Sequence, residues 1–186
     1  MGKGHNVWCG AAAGCAATVP MTLVMEALRI ALPGEHNRRM PPREVVDRTI
    51  EKTAEATGDE VDLDRSDRIA LTTVAHLAFG TAAGAVYGAA IGSRRSSVLK
   101  GIAYGLGVWA VAYGVGLPSL GLHPAAPDDT KDRNEVLIAS HVVWGAVLGL
   151  LSRPTIFGSG VSKQRTAKAG RPPRYQHQLS PVQLVT

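Results

Sequence analysis

The sequence contains long segments that lack charged residues altogether. Aspartate, glutamate, lysine and arginine are all absent from residues 7–25, 69–93, 101–127 and 136–152. A helix needs about 20 predominantly apolar residues to cross a bilayer. A soluble protein with buried helices is the alternative, but helices of soluble proteins normally carry a polar stripe that these blocks lack. The blocks therefore indicate membrane-spanning helices.

Cysteines are also scarce, and the common catalytic motifs are missing. Cys9 and Cys15 are the only cysteines, and their spacing points them to different sides of one predicted helix, which disfavours a disulfide. The chain has no Gly-x-Ser-x-Gly, no P-loop, no His-Glu-x-x-His and no dinucleotide-binding glycine fingerprint. We therefore expect no catalytic residues, no cofactor and no enzymatic activity.

The predicted fold is all-α, a four-helix transmembrane bundle. We expect spans at residues 7–32, 69–93, 101–122 and 136–152, between an N-terminal tail at residues 1–6 and a basic, disordered tail at residues 153–186. The third span ends early because Pro118 and the His123-Pro124 pair disfavour helix. The loop at residues 33–68 is predicted to hold an amphipathic surface helix at residues 42–57. Its apolar face is expected to carry Val45, Val46, Thr49, Ile50 and Thr53.

One pattern occurs twice within the uncharged blocks. His76-Leu-Ala-Phe79-Gly80-Thr-Ala-Ala-Gly84 and His141-Val-Val-Trp144-Gly145-Ala-Val-Leu-Gly149 both have a histidine, then an aromatic residue, then two glycines four residues apart. Weaker glycine pairs occur near the starts of the first and third blocks. This arrangement predicts two helix-pair repeats, in which the first and second spans correspond to the third and fourth.

The glycines are predicted to mark the faces on which helices pack. Small residues four apart let helix backbones approach closely within a membrane. The predicted helix-packing residues are Gly10, Gly14, Gly80, Gly84, Gly88, Gly101, Gly105, Gly145 and Gly149. Phe79 and Trp144, one turn from the histidines, are expected to wedge into the same contacts, and the remaining aromatic residues of the spans are expected to pack or to lie at the interface.

The two histidines are the candidate polar or proton site, together with Glu26. Helix rise places His76 and His141 at similar depth if both helices run in the same direction, so they can face each other across the bundle. Each imidazole can be a structural group that bonds to a neighbouring helix, a proton-handling group, or a metal ligand. The spacing of histidine, cysteine and carboxylate residues gives no support for a metal site, so none is predicted. Glu26 can also pair with Arg29, one turn away.

The distribution of basic residues bears on orientation and partners. Arg94, Arg95 and Lys100 in the short second loop, and the six basic residues of the tail, favour both termini in the cytoplasm. The tail can contact anionic lipid. It lacks the aromatic-interleaved basic patch of nucleic-acid binders, so no nucleic-acid partner is expected. The expected partners are the lipid bilayer and either further copies of the chain or another membrane protein.

A resemblance adds to this interpretation. The stretches Gly10-Ala-Ala-Ala-Gly14, Thr18-Val-Pro20-Met21, Leu32-Pro33-Gly34 and Pro41-Pro42-Arg43-Glu44, with the two histidine motifs, resemble small bacterial inner-membrane proteins of the YagU-like kind. That family has no assigned activity, so the resemblance implies a bacterial inner membrane and supplies no site residues. The expected function is a structural or accessory subunit that assembles through glycine-rich helix faces. A small transporter or pH-responsive protein that uses the paired histidines is the alternative.

Overall fold

The computed structural model describes residues 3–32, 39–58, 62–92 and 95–153. All regular secondary structure within those ranges is helical. The helices are α1 (Lys3–Ala31), α2 (Pro41–Thr57), α3 (Arg65–Ile91), α4 (Val98–Ser119) and α5 (Lys131–Leu151). Four of them, all except α2, are long and apolar enough to cross a membrane. The predicted all-α fold with four spans is thus confirmed, and the protein is an integral membrane protein. Most of the predicted basic tail, residues 154–186, lies outside the described residues.

The helices begin earlier than the uncharged blocks predict. Helix α3 starts at Arg65 and not at residue 69, because the Asp64 side chain accepts a hydrogen bond from the Asp67 amide, 2.8 Å away, and caps the first turn. Helix α5 likewise starts at Lys131, five residues before the predicted span. The helices extend beyond the uncharged blocks because charged residues are compatible with the ends of membrane helices, where long side chains reach the headgroups.

Helix α4 is the least regular of the four long helices. It begins at Val98, where Ser97 caps the helix by accepting from the Lys100 amide, and it ends at Ser119, three residues before the predicted end. Within it, residues Ala112–Gly116 form a π-helical turn. A π-turn contains one extra residue per turn, so it shifts the direction of the side chains that follow.

Helix α2 occupies the first loop, but its predicted apolar face is only partly buried. Val46 and Asp47 are buried, whereas Thr49 and Thr53 are exposed and their hydroxyls donate to carbonyls of their own helix. The buried residues of α2 therefore lie in its first two turns. They include Asp47, whose carboxylate is on the polar side of the helix according to helical periodicity. Gly58, with a φ of 75°, ends the helix in the left-handed conformation.

Consecutive long helices run antiparallel. Helix α1 packs against α3 on one side and α5 on the other, and α4 packs against α5. One end of the bundle, here called the termini end, contains the start of α1 and the end of α5; the opposite end, here called the loop end, lies under α2. The core between the helices consists of Ala13, Ala17, Met21, Met25, Tyr87, Val136, Trp144 and Leu148.

Candidate functional site: an intramembrane cavity

Glycines bring α1 and α3 into backbone contact at the termini end. A Cβ atom built on Gly14 would lie 2.8 Å from the Cα of Gly84, and one built on Gly10 would lie 2.8 Å from the Cα of Gly88. Such separations are shorter than real Cβ contacts, so only glycine permits this approach. Gly80 continues the contact against Thr18 and Gly14.

Helices α4 and α5 meet in the same way. A Cβ atom on Gly101 would lie 2.8 Å from the Cα of Gly149, and one on Gly105 would lie 3.1 Å from the Cα of Gly145. We call these the first and second glycine contacts, between α1 and α3 and between α4 and α5. The nine glycines singled out from the sequence all lie in one of the two.

Three aromatic residues close the termini end between α3 and α4. The rings of Tyr87 and Tyr104 are 5.2 Å apart, and those of Tyr104 and Trp144 are 6.1 Å apart. The Tyr104 hydroxyl donates to the Ala83 carbonyl at 2.8 Å, which ties α4 to α3. The packing role expected of Trp144 is present, since its side chain is buried.

Toward the loop end, a cavity of about 260 Å³ lies between α3 and α4, and residues of α1 and α5 also form part of its wall. Helix α2 covers the loop end of the cavity with Pro42, Val45 and Val46. Phe79, for which a packing role was expected, is 55% exposed and borders the cavity, so the cavity reaches the lipid-facing surface beside it. Its polar lining consists of Thr18, His76, Tyr113 and His141, and the remainder is almost entirely apolar.

The two candidate histidines line this one cavity, but they have different partners. Nδ1 of His76 lies 3.4 Å from the Thr22 hydroxyl on α1. That hydroxyl donates to the Thr18 carbonyl at 2.8 Å, so its oxygen is left to accept from the imidazole. Nδ1 of His141 lies 2.7 Å from the Leu137 carbonyl of its own helix and must donate to it. A bond to a neighbouring helix, one of the alternatives for both histidines, is thus present for His76, whereas Nδ1 of His141 bonds within its own helix.

The π-turn in α4 places Tyr113 beside His141. The Tyr113 ring stands edge-on to His141, with centroids 5.9 Å apart, and edge-on to His123, with centroids 5.1 Å apart. Tyr113 thus connects a histidine of the cavity with a buried histidine at the loop end. Sequence reasoning assigned Tyr113 only a packing or interface role, because a π-turn leaves no reliable mark in the pattern of apolar residues.

Glu26 lies outside the cavity, in a wider groove next to it. Its carboxylate is paired with Arg29 at 2.6 and 2.8 Å, as its spacing allowed. The groove, about 790 Å³ in volume, lies between α1, α3 and the start of α2. His76 borders both the groove and the cavity, whereas His141 borders only the cavity. The structure therefore brings Glu26 near His76 and not near the histidine pair as a whole.

A buried polar cluster at the loop end holds α2 onto the bundle. The guanidinium of Arg133, on α5, donates to the Glu44 carboxylate of α2 and, at 3.1 Å, to the Arg39 carbonyl. Asp129 and His123 lie 3.5 Å from the Nε of Arg133. Sequence reasoning missed this cluster, because Arg133 precedes the fourth uncharged block and resembles an ordinary solvated residue.

Asp47 provides a second attachment for α2. Its carboxylate is paired with Arg39 at 2.7 Å and with Arg68 of α3 at 3.1 Å. Sequence reasoning missed this attachment too, because helical periodicity places Asp47 on the polar side of α2. Within the described ranges, no group of three or more histidine, cysteine, aspartate or glutamate side chains is placed to hold a metal ion.

Comparisons with models of known protein families, with curated proteins and with solved structures give no match to this chain. Any functional assignment must therefore come from the cavity itself.

Proposed function

We propose that the protein is a small membrane transporter whose binding site is the cavity between α3 and α4, with His76 and His141 as its proton-handling groups. The observation that carries this proposal is that imidazoles from two different helices line one cavity in the membrane domain. Polar and ionisable groups are expensive inside a membrane and are typically found on transport paths. Imidazole can accept and release protons near neutral pH.

The residues around the cavity support a route by which protons reach it from the loop end. Tyr113 and His123 lead from His141 to the Arg133 cluster under α2, so polar groups continue from the cavity to the loop end. At the termini end, the described residues instead form the glycine contacts and the cluster of Tyr87, Tyr104 and Trp144, and no such continuation of polar groups is seen among them. The described arrangement therefore corresponds to one access state of an alternating-access cycle.

Proton flux across proteoliposomes tests this function. Vesicles that contain a pH-sensitive dye are given a pH gradient, and flux is compared for the parent and the His76→Gln and His141→Gln variants. We expect the parent to move protons faster than empty vesicles and each variant to lose most of that flux. His5→Gln, which alters an exposed histidine near the start of α1, is the matched control and should leave the flux unchanged. Flux equal to that of empty vesicles in the parent would refute the proposal.

A structural or accessory subunit is the second candidate. The two glycine contacts support it, because they bring the helices into direct backbone contact. Since the glycine faces are occupied within the chain, a partner or a second copy would have to bind the apolar outer faces of α3 and α4, where Val74, Val86 and Val111 are exposed. Oligomer size in nanodiscs, together with co-purification from native membrane, tests this candidate.

We further propose the YagU-like relationship, a bacterial inner-membrane location and cytoplasmic termini, as the sequence indicates. Reporter enzymes that work on only one side of the membrane, fused to either terminus, test the orientation. Binding of the purified chain to anionic vesicles, with and without residues 154–186, tests lipid contact by the tail.

A further inference from the structure

The groove and the cavity differ in chemistry but share a wall. Arg29, Arg39, Arg43 and Arg65 line the groove, and Glu26 is the one acidic residue among its described lining, so this lining carries more basic than acidic groups. The cavity, in contrast, is lined mainly by apolar side chains such as Met21, Met25 and Val108. Thr18, Pro42 and His76 border both spaces, which makes the groove and the cavity adjacent.

The groove and the cavity lie at different depths in the membrane, and these depths match the polar and apolar parts of an amphipathic molecule in a bilayer. Arg29 lies in the last turn of α1 and Arg65 begins α3, so the groove is at the end of the spans, where charged groups meet the headgroup region. The cavity lies further along the same helices. An amphipathic molecule in a bilayer has the same arrangement, with its polar group at the interface and its apolar part in the core.

Arg43 is the arginine best placed to bind an anion. Arg29 is paired with Glu26, and Arg39 with Asp47. The Nε of Arg43 is buried, however, and has no hydrogen-bond partner among the described residues. A buried donor without a partner is costly, and a carboxylate or phosphate would satisfy it with a charge-assisted hydrogen bond.

We propose that the ligand of this protein is an amphipathic anion, whose carboxylate or phosphate binds Arg43 in the groove and whose apolar chain lies in the cavity against His76 and Phe79. This inference rests on the proposed function, for which it names the class of cargo. The volume of the cavity, about 260 Å³, is slightly below the usual range of ligand sites, which starts at about 300 Å³. A cavity of this volume can hold a ligand with a single alkyl chain or a single ring. The exposed edge at Phe79 gives such a molecule a direct route from the lipid.

Quenching of Trp144 fluorescence tests the proposal, because Trp144 lines the cavity. The protein is placed in nanodiscs of neutral lipid and titrated with decanoate brominated at its terminal carbon, and then with the matching brominated decanol. We expect saturable quenching by decanoate that is absent in Trp144→Phe, and about tenfold weaker binding of decanol, equivalent to one charge-assisted hydrogen bond. Phosphatidylglycerol brominated in its chains replaces decanoate in a parallel experiment, and saturable quenching by this lipid would identify a bilayer lipid as the source of the anion.

Arg43→Gln supplies the decisive comparison. It should weaken decanoate binding about tenfold and leave decanol binding unchanged, and Arg43→Lys should restore part of the loss. Lys131→Gln removes the same charge from an exposed position at the loop end and should have no effect. Equal binding of acid and alcohol, unaffected by Arg43→Gln, would overturn the proposal, as would no saturable quenching by any probe. Because binding is measured without flux, this result is independent of the proton-flux experiment.

Discussion

Trp144 and Gly14 come from opposite halves of the chain, and the indole Nε1 of Trp144 donates a hydrogen bond to the Gly14 carbonyl, 3.2 Å away. The acceptor lies in the first glycine contact, and the donor precedes Gly145 of the second. The two helix pairs are therefore joined at the level where each is most tightly packed. The cavity begins immediately beyond this joint, with Trp144 in its wall.

Trp144→Phe should destabilise the bundle by at least about 1 kcal/mol, the usual value of one intramolecular hydrogen bond. The Gly14 carbonyl also accepts from the Thr18 hydroxyl at 2.9 Å, so the variant does not leave it without a partner. Thermal unfolding in detergent measures the effect. Trp8→Phe is the control, since Trp8 is 76% exposed, and equal effects of the two changes would contradict this account.

Gly84→Ala should be much more damaging than its single added methyl group suggests. The new Cβ would lie 2.7 Å from the Cα of Gly14, so α1 and α3 must separate. Overpacking of this kind costs about 1–3 kcal/mol. Gly107→Ala is the matched control within a helix, because nothing lies within 4 Å of the added atom. It should stabilise α4 slightly, and unfolding midpoints of the two variants should move in opposite directions.

Arg133→Met should release α2 from the bundle. The Arg133 side chain is 3% exposed, and that of Asp129, 3.5 Å from its Nε, is 5% exposed. Removal of one partner from a buried ion pair costs about 3 kcal/mol or more, because the other partner loses its compensating charge. We expect faster cleavage within α2 by a protease that cuts after glutamate, and lower thermal stability. Arg48→Met removes an exposed arginine 3.6 Å from the same Glu44 carboxylate and should change neither property. Unchanged cleavage of Arg133→Met would show that α2 is held by other contacts.

The cap of α3 should make stability depend on pH in the acidic range. Hydrogen bonds from the Asp67 amide and the Ser66 hydroxyl hold the pKa of Asp64 below its ordinary value. A lowered pKa in the folded state means that the cap stabilises α3 fully above the unfolded pKa, about 3.9, and that this stabilisation is lost as the pH falls through the folded value. Asp64→Asn should therefore be less stable than the parent at neutral pH and similar to it in strong acid. A difference that does not vary with pH would argue against an ionised cap.

The sequence predicted the features that depend on local composition. Uncharged blocks identified the four spans, because crossing a membrane requires a continuous apolar length whatever the tertiary structure. Glycines four residues apart identified the positions where backbones touch, since close approach excludes any side chain there. Gly80 and Gly145 could therefore be singled out without knowing their partners.

The missed features depend on contacts between distant segments. Arg133 and Glu44 are 89 positions apart, and each has an ordinary surface-like sequence context. Tyr113 lies within the π-turn of α4, which changes side-chain direction without changing composition. Glu26 and His141 were grouped because both are polar residues of the spans. Their separation depends on how the helices pack, which the sequence pattern does not show.

The position of the glycine contacts has a mechanical consequence. Both lie in the halves of the helices nearest the termini end, where each helix pair is held in backbone contact. Helices that are fixed to one another at one end can move apart only at the other end. We therefore expect any widening of the bundle to appear as a longer distance between the start of α3, near Leu71, and the end of α4, near Leu120, with the spacing of Gly10 and Gly88 unchanged.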